Sequence, residues 1–185
     1  MPTVPFDLTS NSAPADFAGL VAVFADAAPD AGARGLPKPA RAMLERALAS
    51  PAWDKLKPGE GMTLAFPAGM AARALLVVKL PAKPAAEALR KAGAAVGKAL
   101  DEGGALVLAQ GVKDLGALAE AIALRAYRFA RKAEAPKPAG PVTLAVRDPA
   151  AVQPALDLAL ARARAVHFTR DLVNEPANIL TTTEF

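Results

Sequence analysis

Arg73-Ala74-Leu75-Leu76-Val77-Val78-Lys79 is an apolar run held between two charged residues. It is short and rich in branched side chains, which predicts a strand covered on both faces. Residues 84–101 follow it with helical spacing of alanine, leucine and valine. The same unit recurs twice, as 105–110 with 114–132 and as 142–147 with 149–172. Strands alternating with helices of this length predict parallel pairing through crossovers, with helices lying on the sheet. The fold class is α/β.

Working outward, Gly19-Leu-Val-Ala-Val-Phe-Ala25 is a second continuous apolar run and a second buried strand, with residues 3–8 as an edge strand beside it. Residues 29–39, rich in Gly, Ala and Pro, form a loop. Pro39 opens a helix to about Ser50, with Met43, Leu44, Ala47 and Leu48 on one side, and Pro51 closes it. Lys57-Pro58-Gly59-Glu60-Gly61 is turn sequence. Met62, Leu64 and Phe66 then alternate with Thr63 and Ala65, the pattern of a half-covered strand. Shorter links between these early strands predict some antiparallel pairing and hence a mixed sheet. Residues 133–141 are proline-rich, but a strand and helix follow at once, so they read as a surface loop inside one domain.

A chain of 185 residues with 53% hydrophobic content can bury a real core. Only 5% is aromatic, so small and aliphatic side chains must fill that core, and helices can approach closely. The absence of cysteine excludes disulfides and thiolate metal sites. No signal-peptide pattern opens the sequence and no apolar run nears the ~20 residues of a bilayer span, which favours a cytoplasmic location. A net charge of +4 is spread among 18 acidic residues without aromatic stacking platforms, which disfavours nucleic acid as a partner.

The last helix carries two apolar stripes. Val152, Leu156, Ala159, Ala163 and Val166 form one; Leu158, Ala161, Ala165, Phe168 and Leu172 form another on roughly the opposite side. A surface helix needs one such stripe. Two stripes predict a helix shared by two bodies, with the second left exposed in this chain.

Candidate sites are sparse. His167 is the only histidine and reads as a partly buried structural residue, because a base or metal ligand needs partners. Lys79 ends a strand, where α/β folds place functional groups, but a lysine there is more often simply solvated. Gly93 and Gly97, one turn apart mid-helix, read as a close helix contact; Gly103-Gly104 reads as a turn. Gly32-Ala-Arg-Gly35 follows a strand and offers a weak phosphate cradle. The acids are dispersed: Asp16, Asp26 and Asp30 border one loop region, Glu45 and Glu87 sit on helices, and Asp101-Glu102 marks a helix end. No nucleotide-loop or zinc-helix motif occurs. The residues alone support an α/β domain with no internal active site.

The chain ends on Arg170-Asp171-Leu172-Val-Asn174-Glu-Pro176-Ala-Asn178-Ile-Leu-Thr181-Thr182-Thr-Glu-Phe185. Pro176 stops the helix, and Asn178 with the threonines reads as turn and cap material for another element. The expectation is that the chain is the front part of something larger and that 174–185 are mobile without a body to pack on. This stretch resembles the start of the catalytic domain in the leucyl aminopeptidases, a dinuclear-metal family, where such a motif follows a long linking helix. One departure is Thr182, where the family usually has proline.

The resemblance implies a macro-domain-like mixed β-sheet sandwiched between helices over residues 1–148, a connecting helix at 149–173, and the beginning of an absent catalytic domain at 174–185. It implies a parent enzyme that removes N-terminal amino acids from peptides with two divalent metal ions, Mn or Zn, usually as a cytoplasmic hexamer. The family's catalytic and metal-binding residues come from motifs beyond the position of Phe185, so no catalytic, cofactor-binding or metal-binding residue is assigned to this chain, which is expected to be inactive alone. Two other readings stay open: a stand-alone macro-like module binding ADP-ribose or a related nucleotide, and a nucleic-acid-binding domain.

Overall fold

The computed structural model describes residues 4–129 and 137–175. Six strands, β1 (Phe6–Thr9), β2 (Leu20–Ala25), β3 (Gly61–Ala65), β4 (Ala74–Lys79), β5 (Ala105–Leu108) and β6 (Val142–Ala145), form one sheet. Their spatial order is β1-β6-β5-β2-β4-β3. Five are mutually parallel, and only β3 runs antiparallel, against β4. The mixed α/β class expected from the sequence is what the chain adopts.

The central strands are apolar at every position because both faces are covered. On one face Leu20, Ala22 and Phe24 of β2 and Leu76 and Val78 of β4 pack beneath three helices, α3 (Ala86–Ala99), α4 (Leu115–Ala126) and α5 (Pro149–Asn174). On the other, Val21, Val23, Leu75 and Val77 meet α1 (Lys38–Leu48) and the short α2 (Pro51–Asp54). Phe24 is wholly enclosed; truncating such a side chain to alanine costs ~3–5 kcal/mol. Gly93 and Gly97 let α3 touch α4: a Cβ on either would stand 2.6 Å from a backbone carbonyl, that of Leu118 or of Ile122. The close-packing reading of that pair holds.

Several local expectations are corrected. The N-terminal edge strand lies beside β6 and not beside β2, because Val142 donates to the Pro5 carbonyl (2.9 Å) and Val146 to that of Thr9 (2.9 Å). Phe66 does not continue the alternation of Met62 and Leu64. The strand ends at Ala65, Phe66 turns into the left-handed region (φ 48°), and its ring is 80% exposed. The loop 29–39 contains a 3-10 turn, Gly32–Gly35. Pro51 ends α1 but also opens α2, whose first turn is capped when Ser50 Oγ accepts from Trp53 N–H at 3.3 Å. The helix expected over 114–132 stops at Ala126, where Tyr127 becomes extended and turns its ring toward α5.

In α5 the buried line is Leu156, Ala159, Ala163 and His167. Val166, assigned from spacing to that stripe, is instead 37% exposed; it lies one residue, about 100°, off the row that His167 completes. Of the terminal stretch, Asn174 ends α5 and Glu175 follows it; the rest of 174–185 lies outside the described residues.

Candidate functional site

The residues that matter most lie where α5 leaves the domain. Its first half is tied down by packing, and its last two turns by polar contacts to the end of α4. Arg170 Nη1 donates to the Leu124 carbonyl (2.8 Å), supplying a partner to a helix-end acceptor. The same guanidinium lies 5.4 Å from the centre of the Tyr127 ring. Tyr127 Oη donates to Asp171 Oδ1 at 2.8 Å, and Asn174 Nδ2 donates to the Arg170 carbonyl at 2.7 Å and reaches Tyr127 Oη at 3.4 Å. Arg170, Asp171 and Asn174, quoted above as motif letters, are therefore a clamp on Tyr127. Sequence reading missed Tyr127 because its partners lie more than forty positions away.

His167 sits inside this clamp, 7% exposed, its ring 5.0 Å from that of Tyr127. Burial lowers its pKa, against a bond to the Ala123 backbone that raises it. Its Nε2 is enclosed and meets no partner. His167 is thus more deeply buried than the partly buried residue expected from the sequence.

Beyond the clamp, α5 presents its second stripe to solvent. Leu158 is 54% and Phe168 64% exposed, Ala161 and Ala165 are exposed, and Leu172 is half-buried. One face of this helix belongs to the domain and the opposite face has no cover among the described residues.

The remaining candidates make contacts within the domain. Lys79 is not simply solvated: its Nζ donates to the Trp53 carbonyl (3.2 Å) and lies 5.5 Å from the indole centre. Trp53, unremarked in the sequence, is buried and donates through Nε1 to the Asp26 carbonyl (3.1 Å). The Gly32–Gly35 turn does not wait for a phosphate. Asp30 Oδ1 accepts from Gly32 N–H at 2.9 Å, and Ala33 N–H also bonds this carboxylate. Desolvation raises Asp30 to about 6 in spite of those bonds. Gly103-Gly104 is a turn, with Gly103 N–H donating to Asp101 Oδ1 (3.0 Å) and Gly104 at φ 69°. Asp101 also pairs with Arg73 at 2.6 Å, and Glu102 with Lys137 at 2.9 Å. Among the described residues no three His, Cys, Asp or Glu side chains stand close enough to hold a metal ion; the resemblance itself draws the metal ligands from motifs past Phe185. No helix among them is long and apolar enough to cross a membrane.

The fold defines an α/β domain whose last helix is clamped on one side and, among the described residues, bare on the other. No family profile matches the chain. It is 43% identical to a probable cytosol aminopeptidase of Cereibacter sphaeroides over 98% of this chain and 38% of that protein. With the one from Dinoroseobacter shibae it shares 45% over 83% of this chain and 32% of that protein. Among solved structures, a mutant tomato leucine aminopeptidase shares the fold with a TM-score of 0.66 at 17% identity, over 99% of this chain and 40% of that one. The bottromycin maturation enzyme BotP matches with a TM-score of 0.55 at 27% identity, over 90% of this chain and 35% of that one. The chain belongs to the cytosol, or leucyl, aminopeptidase family and corresponds to an N-terminal part of it, spanning about a third of the length of the relatives it matches. These likenesses lend no support to a stand-alone ADP-ribose module or a nucleic-acid-binding domain.

Proposed function

We propose that this chain is the non-catalytic N-terminal domain of a metal-dependent leucyl aminopeptidase, a hydrolase that releases N-terminal amino acids from peptides. Residues 1–148 are the α/β domain, 149–173 the connecting helix and 174–185 the first residues of the catalytic domain. The observation that carries this reading is the division of α5 into a buried face, through Leu156, Ala159, Ala163 and His167, and an exposed apolar face through Leu158 and Phe168. The catalytic domain of the same polypeptide covers the exposed face. It also supplies the ligands for two divalent ions, Mn or Zn. A solved relative described as a manganese complex, BotP at 22% identity and a TM-score of 0.57, supports a metal in the parent. A cytoplasmic homo-oligomer, hexameric as the resemblance implies, completes the reading.

The test compares the purified 185-residue chain with the full-length product of the same reading frame, each given leucine p-nitroanilide and excess manganese or zinc. The full-length protein turns the substrate over and the shorter chain does not. Turnover by the shorter chain near the full-length rate would overturn the assignment.

A further inference from the structure

The two outer strands of the sheet are defended differently. β1 follows Pro5 and carries exposed Asp7, both of which discourage pairing with a foreign strand. β3, Gly-Met-Thr-Leu-Ala, has neither a charge nor a proline. Phe66 N–H donates to the Arg73 carbonyl (3.0 Å) and Lys79 N–H to the Glu60 carbonyl (2.8 Å), which sets the parity of the β3–β4 ladder. Even-numbered residues bond to β4, so Gly61, Thr63 and Ala65 turn their backbone donors and acceptors to the open edge. Among the described residues β3 pairs with β4 alone, and Thr63 and Ala65 are exposed.

Beside this edge the sheet has no roof. α3 lies over the neighbouring strands, and the small side chains of Gly61 and Thr63 leave an open trough of about 660 Å³ between β3 and α3. Lys91, Lys98 and Arg125 line it. Its one acid, Glu60, is engaged as acceptor for Lys57 N–H at 2.9 Å. Lys91 comes no nearer than 3.9 Å to Glu87, and Lys98 and Arg125 have no ion pair among the described residues. The trough is therefore cationic beside a row of unpaired backbone groups.

We propose that the β3 edge is a docking site for an extended acidic peptide of another protein, which adds to the sheet as an outer strand and sets alternate carboxylates over the trough. The spacing fits. An added strand lies about 4.8 Å from β3 and projects every second side chain toward the α3 face. A second copy of this chain is a poorer occupant, because antiparallel pairing through β3 brings the same three cations face to face across a two-fold axis.

The test uses fluorescein-labelled acetyl-Glu-Val-Glu-Val-Glu-Val amide and its lysine counterpart, titrated with the 185-residue chain and followed by anisotropy. The acidic peptide saturates at least about tenfold more tightly than the basic one. Thr63→Pro, which removes one outward donor without touching the β4 ladder, weakens it by about tenfold or more. Lys91→Glu with Lys98→Glu, surface changes that leave the ladder intact, reverses the preference. Amide exchange at Thr63 and Ala65 slows when peptide is bound, which reads strand addition independently of any variant. Equal affinity for both peptides, no saturation, unchanged exchange at Thr63, or a peptide-independent dimer through β3 in sedimentation would each overturn the proposal.

Discussion

Tyr127 Oη donates to Asp171 Oδ1 at 2.8 Å, joining the residue after α4 to the last turn of α5. The bond spans 44 positions of sequence, and it ties the last turn of α5 to the domain. Around it gather Arg170, Asn174 and His167, so the end of α5 is held by polar contacts where its apolar packing runs out.

Tyr127→Phe keeps the ring against His167 and Arg170 and removes only the hydroxyl. The expected loss is ~0.5–1.5 kcal/mol, the net worth of one such hydrogen bond. It falls locally: amide exchange speeds up over the last two turns of α5 and stays unchanged in α3. Uniform acceleration through the domain would show that the bond holds the core and not the helix end.

His167 titrates below its ordinary value of 6.5, chiefly because burial disfavours the imidazolium. The neutral ring is the form that packs against Tyr127, with Arg170 opposing its protonation and Asp171 favouring it. The unfolded chain therefore binds the proton more readily. The contribution of this residue to stability is present above pH 6.5 and is lost as pH falls through the folded value. As the chain has one histidine, a single imidazole resonance followed by NMR gives the midpoint directly. A midpoint at or above 6.5 would contradict the burial seen here.

Asp30 works in the opposite sense. Its folded value of about 6 exceeds the ordinary 3.8, so the folded state holds the proton more tightly between those values. Stability from this group is full below pH 3.8 and falls as pH rises through about 6. Asp30→Asn keeps an oxygen for Gly32 N–H and abolishes the titration. The variant should gain on the order of 1 kcal/mol over the parent chain at pH 8, after allowance for solvent reaching the half-buried carboxylate. Urea melts at pH 4, 5, 6 and 8 check it: the difference between the two proteins grows up to pH 6 and is flat beyond pH 7.

The two faces of α5 should respond differently to substitution. Leu156→Ala opens a cavity in the core and costs ~2–5 kcal/mol. Phe168→Asp, on the exposed face, changes folding stability by no more than ~0.5 kcal/mol. It should nevertheless weaken self-association of the 185-residue chain in sedimentation, because the bare stripe is the surface most in need of cover. A Phe168→Asp chain that unfolds in step with Leu156→Ala would place that ring in the core.

The layers are legible in the order of the amino acids. Runs such as Leu20–Ala25 and Ala74–Lys79 can only be strands covered on both sides, and the helical spacing between them requires crossovers and hence a largely parallel sheet. The doubled face of α5 is legible too, since amphipathic spacing is a local property, and so are the family letters Arg170, Asp171 and Asn174. The place of β1 is not legible there, because its pairing with β6 joins residues over a hundred positions apart. What the motif letters do is not legible there either. Asp171 has no hydroxyl to accept from until Tyr127 is brought beside it, and Asp30 is an ordinary acid until the fold takes its carboxylate out of water. Periodicity is written in near neighbours; polar partnership depends on distance in space, which the chain order does not contain.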